Sequence, residues 1–342
     1  MIRHIQYELK QRGFDLCHPL HTSWYNNLIN EDGLVENGSL ELLPVPPTIV
    51  DDDGGTTTTS TSCNYNAILI GNTKHIWPIF IHWLSSMVDR KMKESIDLTD
   101  REALDTITNP FDTYVRESIH QTIQRCSMTH PEIKCSELFW SSGKRQKLYD
   151  VDQLEESSID SVANHKNNVD DETSFLVSMQ RVATTTGMYW LDNEATKLCV
   201  HPEYGTWMAF RVLVLFETRY DPPFCSCSIP LAPTPCSCPV SSDEIRLAKE
   251  IFEYALDMSR SEGYGTTLNK SWQELCDYLH GISCTGSSWD KVPKTMKPWI
   301  HLRDSISVGR ERWKYGQEQL LYHYTRDSEI LFTELMKVQR LS

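Results

Sequence analysis

Apolar positions follow one another most regularly over Leu198–Phe216, LCVHPEYGTWMAFRVLVLF. The stretch opens on a turn, His201-Pro202-Glu203-Tyr204-Gly205, where Pro pre-sets one backbone angle and Gly relieves another. A run with strand composition and period-2 spacing follows. One face of that strand would carry Trp207, Ala209, Arg211, Leu213 and Leu215, and the other Met208, Phe210, Val212, Val214 and Phe216. Both faces are apolar, which predicts a strand covered on both sides. Arg211 breaks the pattern. A guanidinium cannot shed its proton, so when buried it needs an anion: an internal Asp or Glu, or the carboxylate or phosphate of a ligand.

The remaining pattern predicts a short amphipathic helix over Ile2–Arg12 and a second helix through Trp24–Leu28, capped by Thr22 or Ser23. Ala67–Ile70 and Ile133–Trp140 read as strands. Lys74–Arg90 reads as a helix with Ile76, Phe80, Trp83 and Met87 on its core face and Pro78 in or near its first turn. Phe111–Arg125 is a further helix, with Asn109 as N-cap and Pro110 at its first position. Ser174–Gly187 gathers Phe175, Met179 and Val182 on one helix face, and Gly187 would end it. Beyond residue 240 the chain is helical over Ser242–Ser259, Leu268–His280, Arg310–Tyr324 and Asp327–Val338. Strands and helices first, helices last, predict an α+β fold with a helical C-terminal cap.

Two polar stretches interrupt this order. Residues 30–62 end in DDDGGTTTTSTS, and residues 141–173 turn acidic in their second half. Neither can repay the entropy of ordering, so both are expected to be disordered inserts. A Cys- and Pro-rich loop spans 223–240. Its Cys225, Cys227, Cys236 and Cys238 could bind Zn²⁺ or Cu(I) through four thiolates, form a redox dithiol, or stay unligated.

Composition narrows the function. The 342 residues are 39% hydrophobic and carry a net charge of −14, which argues against nucleic acid or an anionic membrane as the main partner. No uninterrupted apolar run of about 18 residues is present to span a membrane. The N-terminal residues show no secretory pattern, and eleven cysteines without one are expected to be reduced thiols of a cytoplasmic protein. Cys199 beside His201 has the look of a nucleophile pair, but catalysis by Cys199 is not expected. Zinc-protease, Walker and GxSxG motifs are absent from the sequence.

The central stretch resembles a segment of the CblC (MMACHC) family of intracellular cobalamin-processing enzymes, through Cys199, His201, Pro202, Gly205, Trp207 and Arg211. Three more stretches resemble the family in the same order. They are Phe14–Leu28 with its Trp24-Tyr25-Asn26 core, Asn109-Pro110-Phe111-Asp112, and Arg303-Asp304 followed by Glu311-Arg312-Trp313 and Gln317-Glu318-Gln319. The resemblance implies a flavin-reductase (nitroreductase)-like mixed sheet with flanking helices. Residues 1–222 would form the cobalamin-binding core and 241–342 the helical cap. It implies glutathione-dependent dealkylation of alkylcobalamins, in which a thiolate takes the alkyl carbon. It also implies flavin-dependent reductive decyanation of cyanocobalamin, with FMN or FAD fed by NADPH. Cobalamin would bind base-off and pass to downstream enzymes. The implied partners are a CblD-like protein and methionine synthase, with the chain a monomer or weak homodimer.

By the same resemblance, Arg211, Arg303 and Arg326 would hold the carboxylates of glutathione, with Arg211 and Arg303 serving the transfer itself. Cobalamin would meet Glu137, Val177, Ser178, Met179, Gln180, Thr196 and Phe210, and, as replacements for a longer family segment, Leu191, Asp192 and Asn193. Phe210 and Arg211 fall on opposite faces of one strand, so that strand must separate two sites or twist strongly. Where the family often has a His near cobalt, this chain has Thr184. The family's Tyr-rich run survives as Tyr189-Trp190, and about a dozen residues are missing before Thr196. These departures leave room for a non-catalytic cobalamin carrier. A flavin nitroreductase-like enzyme without cobalamin is the other alternative.

Overall fold

A computed structural model describes residues 2–35, 38–44, 67–95, 97–131, 133–147, 172–218, 231–260, 290 and 292–340. In chain order the elements are α1 (Ile2–Gln11), β1 (Leu16–Leu20), α2 (Thr22–Glu31), β2 (Ala67–Asn72), α3 (Ile76–Glu94), α4 (Asp100–Asp105), α5 (Pro110–Thr129), β3 (Ile133–Trp140), β4 (Lys144–Lys147), β5 (Glu172–Ser174) and α6 (Met179–Thr185). There follow β6 (Trp190–Leu191), β7 (Cys199–Val200), β8 (Ala209–Thr218), α7 (Ser242–Arg260), α8 (Lys297–Asp304), α9 (Arg310–Trp313), α10 (Gln317–Thr325) and α11 (Ser328–Gln339).

The strand built from the central stretch, β8, lies inside a six-stranded sheet of order β1-β2-β8-β3-β4-β5. Every described pairing is antiparallel, a narrower arrangement than the mixed sheet expected. One face packs on α1, α3, α5, α10 and α11 through Ile68, Ile70, Val212, Val214, Leu138 and Trp140. The other packs on α2 and α6 through Leu16, Leu20, Leu69, Leu213, Leu215 and Phe139. Val212, Leu213 and Val214 are fully buried, each contributing about 1.5–3 kcal/mol of apolar transfer. A third cluster joins Val200 to α7 and α8 through Ala248, Ile251, Leu302 and Ile306.

The strict alternation expected along β8 fails at Arg211. Gly71 pairs with Phe210 while Ile70 pairs with Val212, so Arg211 is the extra residue of a β-bulge. Met208 and Phe210 therefore share a face with Leu213 and Leu215, whereas Trp207 shares one with Val212, Val214 and Phe216. Gly71 permits the irregularity, because a Cβ there would lie 2.7 Å from the carbonyl oxygen of Ala209.

Other expectations shift by local chemistry. The cap of α2 is His21, whose ring nitrogen accepts from the Ser23 amide, and not Thr22 or Ser23. The helix expected over Ser174–Gly187 shortens to Met179–Thr185. Ser178 caps it, and Phe175 reaches the core from extended chain. On α3 the buried stripe is Ile76, Phe80, Ile81, Leu84 and Val88, while Trp83 and Met87 are half-buried. The helix expected over Arg310–Tyr324 is two, α9 and α10, separated at Lys314–Gly316. Part of the first expected insert is ordered: Leu43 is buried, and the Asn26 amide both donates to its carbonyl and accepts from its N–H. The second begins as β4. Most of both inserts, and the helix expected over Leu268–His280, lie outside the described residues.

Two loops lock together between the sheet and the C-terminal helices. Gly205, at φ +59°, ends the His201–Gly205 turn, and Gly309, at φ +67°, precedes α9. A Cβ on Gly205 would run into the Val308 carbonyl oxygen, and one on Gly309 would meet Tyr204 backbone carbon at 2.7 Å. Only glycine serves at such a left-handed, close crossing.

Candidate functional site

The bulge aims Arg211 toward the helical side of the sheet. Its Nε donates to Asn72 Oδ1 at 2.7 Å, and its guanidinium lies 4.9 Å from the Phe111 ring centroid. No carboxylate among the described residues stands within ion-pair distance of it; the internal acid that the strand alone favoured as its partner is not there. Burial is the chief influence weighing against its charge. Tyr315 and Asp112 favour the charge, and Arg326 and Arg303 oppose it.

Arg303 enters from the end of α8. Its Nη2 donates to the Thr206 carbonyl at 2.7 Å and to the Met208 carbonyl at 3.4 Å, and its Nε also reaches Thr206, at 3.1 Å. The guanidinium lies over the Trp207 ring, at 4.5 Å, and the Tyr315 ring, at 4.8 Å, which meet each other edge-on. Burial opposes its charge, but the Tyr324 and Tyr315 hydroxyls outweigh this and hold its pKa above the ordinary value. Arg326 closes the group from the C-cap of α10. It is exposed, left-handed at φ 55°, and lies over the Tyr322 ring at 5.7 Å.

His323, on α10, reports that the three arginines converge. Burial first, then Arg303, Arg211 and Arg326, push its pKa down to about 3, so the imidazole is neutral. Arg211, Arg303, His323 and Tyr324 each keep partial solvent contact although protein encloses them deeply. That combination describes a recess which water can reach. Next to it Trp207 Nε1 is buried with no hydrogen-bond partner, while the Tyr315 hydroxyl is engaged with Arg303. Three cations gathered around a neutral imidazole give this part of the molecule a positive charge whose planar forks match carboxylates in shape.

On the other face of the same backbone lies a cleft of 310 Å³. Val177, Met179, Gln180 and Phe210, four of the residues expected at cobalamin, line it together with Ser141, Lys197, Leu198, Cys199, Thr206, Met208 and Ala209. Segment 206–211 is therefore a shared wall: its carbonyls hold Arg303 on one side and its side chains line the cleft on the other.

The other expected contacts are committed elsewhere. Glu137 binds Arg145 at 2.6 Å across β3 and β4. The Ser178 hydroxyl caps α6 by accepting from the Arg181 amide. Asp192 accepts from the Ala195 and Thr196 amides and from the Thr196 hydroxyl, closing a tight loop that occupies both residues. Asn193 is exposed and its carbonyl accepts from Lys197 Nζ, while Leu191 is half-buried in β6 against Cys199. Thr184 returns its hydroxyl to the Arg181 carbonyl at 2.8 Å.

Cys225 and Cys227 lie outside the described residues. Cys236 and Cys238 are free thiols, and no set of three or more His, Cys, Asp or Glu that could hold a metal occurs among the described residues. Among those residues no helix is long and apolar enough to cross a membrane. Sequence reasoning missed Asn72, His323, Tyr315 and Tyr324. The run LLYHYT, dense in aromatics just before Arg326, was the available signal.

No family model matches the chain, and no curated protein matches it. One similar solved structure is that of a B12-trafficking protein CblC from C. elegans, described as a homologue of human MMACHC. It is 14% identical, with a TM-score of 0.42, over 89% of this chain and 95% of that one. Similarity of that degree does not assign this chain to a family.

Proposed function

We propose that this protein is a cobalamin-processing enzyme that transfers the alkyl group of an alkylcobalamin to glutathione. The observation that carries the reading is the convergence of Arg211, Arg303 and Arg326 around neutral His323, with no internal carboxylate paired to Arg211, directly behind a cleft lined by Val177, Met179, Gln180 and Phe210. The ordered motif resemblance supports it. Glutathione brings two carboxylates, which the guanidiniums match in charge and planarity. The cleft is at the small end of ligand cavities, so it would grip one edge of a corrin and leave the rest outside.

In the reaction the thiolate sulfur attacks the alkyl carbon, the carbon–cobalt bond breaks, and cobalt leaves with the electron pair as Co(I). The protein's share is to hold the tripeptide by its acidic ends at the arginines and the corrinoid edge in the cleft, with the cysteinyl arm reaching past segment 206–211 to bring sulfur to the carbon. Anaerobic incubation with methylcobalamin and glutathione should yield cob(I)alamin and S-methylglutathione; failure to form either removes the dealkylase claim.

Flavin-dependent decyanation with FMN or FAD and NADPH, and hand-over to a CblD-like protein or methionine synthase, extend this proposal by resemblance alone, since no described feature singles out a flavin phosphate site. One observation favours a second reading, a non-catalytic cobalamin carrier: Thr184, at the place of the family's imidazole, has its hydroxyl spent on the Arg181 carbonyl. A base-off cobalamin spectrum without turnover would select the carrier.

A further inference from the structure

Behind the cleft a file of rings runs to the outer surface, and the reaction above uses none of it beyond Phe210 in the cleft wall. Phe210, in the cleft wall, touches the ring of Tyr189 at a centroid distance of 5.3 Å. Tyr189 lies 5.1 Å from His201, which stacks on Tyr204 at 4.3 Å. Tyr204 meets Trp313 edge-on at 4.6 Å, and Trp313 meets His75 at 5.1 Å. Tyr189 and Trp313 are buried, while the side chain of His75 is 57% exposed and paired with Asp15 at 3.3 Å.

The inner end carries a second feature. Tyr189 Oη lies 2.7 Å from His18 Nε2, their rings perpendicular. Burial drives the pKa of His18 down to about 4, so its ring is neutral, and in the tautomer protonated at Nδ1 its Nε2 accepts from the phenol. A phenol gives up an electron readily only when its proton has somewhere to go, and here the acceptor is already in place.

We propose that Tyr189 and His18 form a proton-coupled redox relay that carries an electron vacancy from the cleft, through Tyr204 and Trp313, to the surface at His75. The oxidant is an oxyl or peroxyl radical arising in the cleft. It takes one electron from Tyr189 and, with a proton from water, leaves as the alcohol or hydroperoxide. The Tyr189 proton shifts to His18 Nε2 in the same step. Tyr204, half-buried, gives an electron to the Tyr189 radical and its own proton to water while His18 returns the proton to Tyr189; Trp313 then gives an electron to Tyr204, which takes its proton back from water. A one-electron reductant in solution, such as ascorbate, restores Trp313 and loses its own proton to water. Phenols and indoles yield electrons only to strong oxidants, so the path drains oxidising equivalents and does not feed reducing electrons inward. It requires a radical in the cleft, not cobalamin, and stands apart from the dealkylase reading.

The test needs no cobalamin. The full chain is labelled on its surface histidines with a ruthenium bipyridyl photo-oxidant, flashed, frozen and examined by electron paramagnetic resonance. The expected result is a tyrosyl radical with the g-shift of a hydrogen-bonded phenol. Most of it should be lost in Tyr189→Phe, in Tyr204→Phe and in His75→Gln, which lacks the label at the mouth. His18→Phe should remove the hydrogen-bond signature. The phenylalanine variants keep ring shape, and circular dichroism checks their fold. No radical in the parent chain, or equal yield and g-values in parent and Tyr189→Phe, overturns the relay.

Discussion

The Arg211 guanidinium donates to Asn72 at 2.7 Å, and that neutral amide is its one hydrogen-bonding partner among the described residues. A buried guanidinium satisfied by an amide keeps its charge for something else. The relationship turns an anomaly of the strand into a site, because an acid at position 72 would have consumed the charge internally.

Replacing Arg211 should therefore weaken glutathione binding. Arg211→Ala is expected to raise Kd on the order of 10- to 100-fold, the equivalent of about 1.5–3 kcal/mol for a hydrogen bond to a charged group. Arg211→Lys should recover only part, since an ammonium keeps the charge and loses the fork. Calorimetric titration with glutathione measures both.

Asn72→Asp should compete with the ligand from inside. The new carboxylate would pair with Arg211, and glutathione affinity should fall as it does in Arg211→Ala. Binding would be lost although the guanidinium is still present. The variant also forfeits the donor that Asn72 offers the Thr73 carbonyl, so its folded state should be confirmed by thermal melting. Unchanged affinity in a folded Asn72→Asp would mean that Arg211 is not the anion's seat.

His323 makes stability depend on pH. Its pKa falls from 6.5 to about 3 in the folded chain. As pH drops below 6.5 the unfolded chain takes a proton that the folded chain refuses, so stability is full above 6.5 and is lost progressively toward pH 3. At pH 5 the expected loss from this group is about 2 kcal/mol relative to pH 7. Urea denaturation of the parent and His323→Gln at both pH values should show the smaller drop in the variant. Equal drops would place His323 outside the field of the arginines.

Gly205→Ala should be among the most damaging single changes. A methyl group there meets backbone, not a flexible side-chain end, and φ is +59°. A loss above about 3 kcal/mol is expected, the scale of overpacking combined with backbone strain. A fall in melting temperature with correspondingly reduced expression is the measurement. An alanine variant that melts with the parent would show that the two loops do not interlock.

How far the chain could be read in advance depended on how local each cause is. Ile133–Trp140 is β3 end to end, because β propensity and its flanking breaks are written in the same eight residues. The covering of β8 on both faces was likewise legible from its own composition. Which residues share a face was not, since the bulge at Arg211 depends on Gly71 in a strand 140 positions away. An isolated Gly inside AILIGN was the hint. The three arginines were named from resemblance, and the structure sets them around one histidine that no spacing rule would choose. Ser178, Asp192 and Thr196 show the opposite limit. Short polar side chains near a pocket read as ligand contacts, yet their oxygens are used to satisfy backbone N–H groups.

The crossing of Gly205 and Gly309 ties inheritance as well as geometry. Neither loop can accept a side chain while the other keeps its path, so a change in one must wait for a change in the other. The turn ahead of β8 and the lead into α9 thus behave as a single heritable part. A chimera that borrows the C-terminal helices from a distant cousin will have to borrow the His201–Gly205 turn along with them.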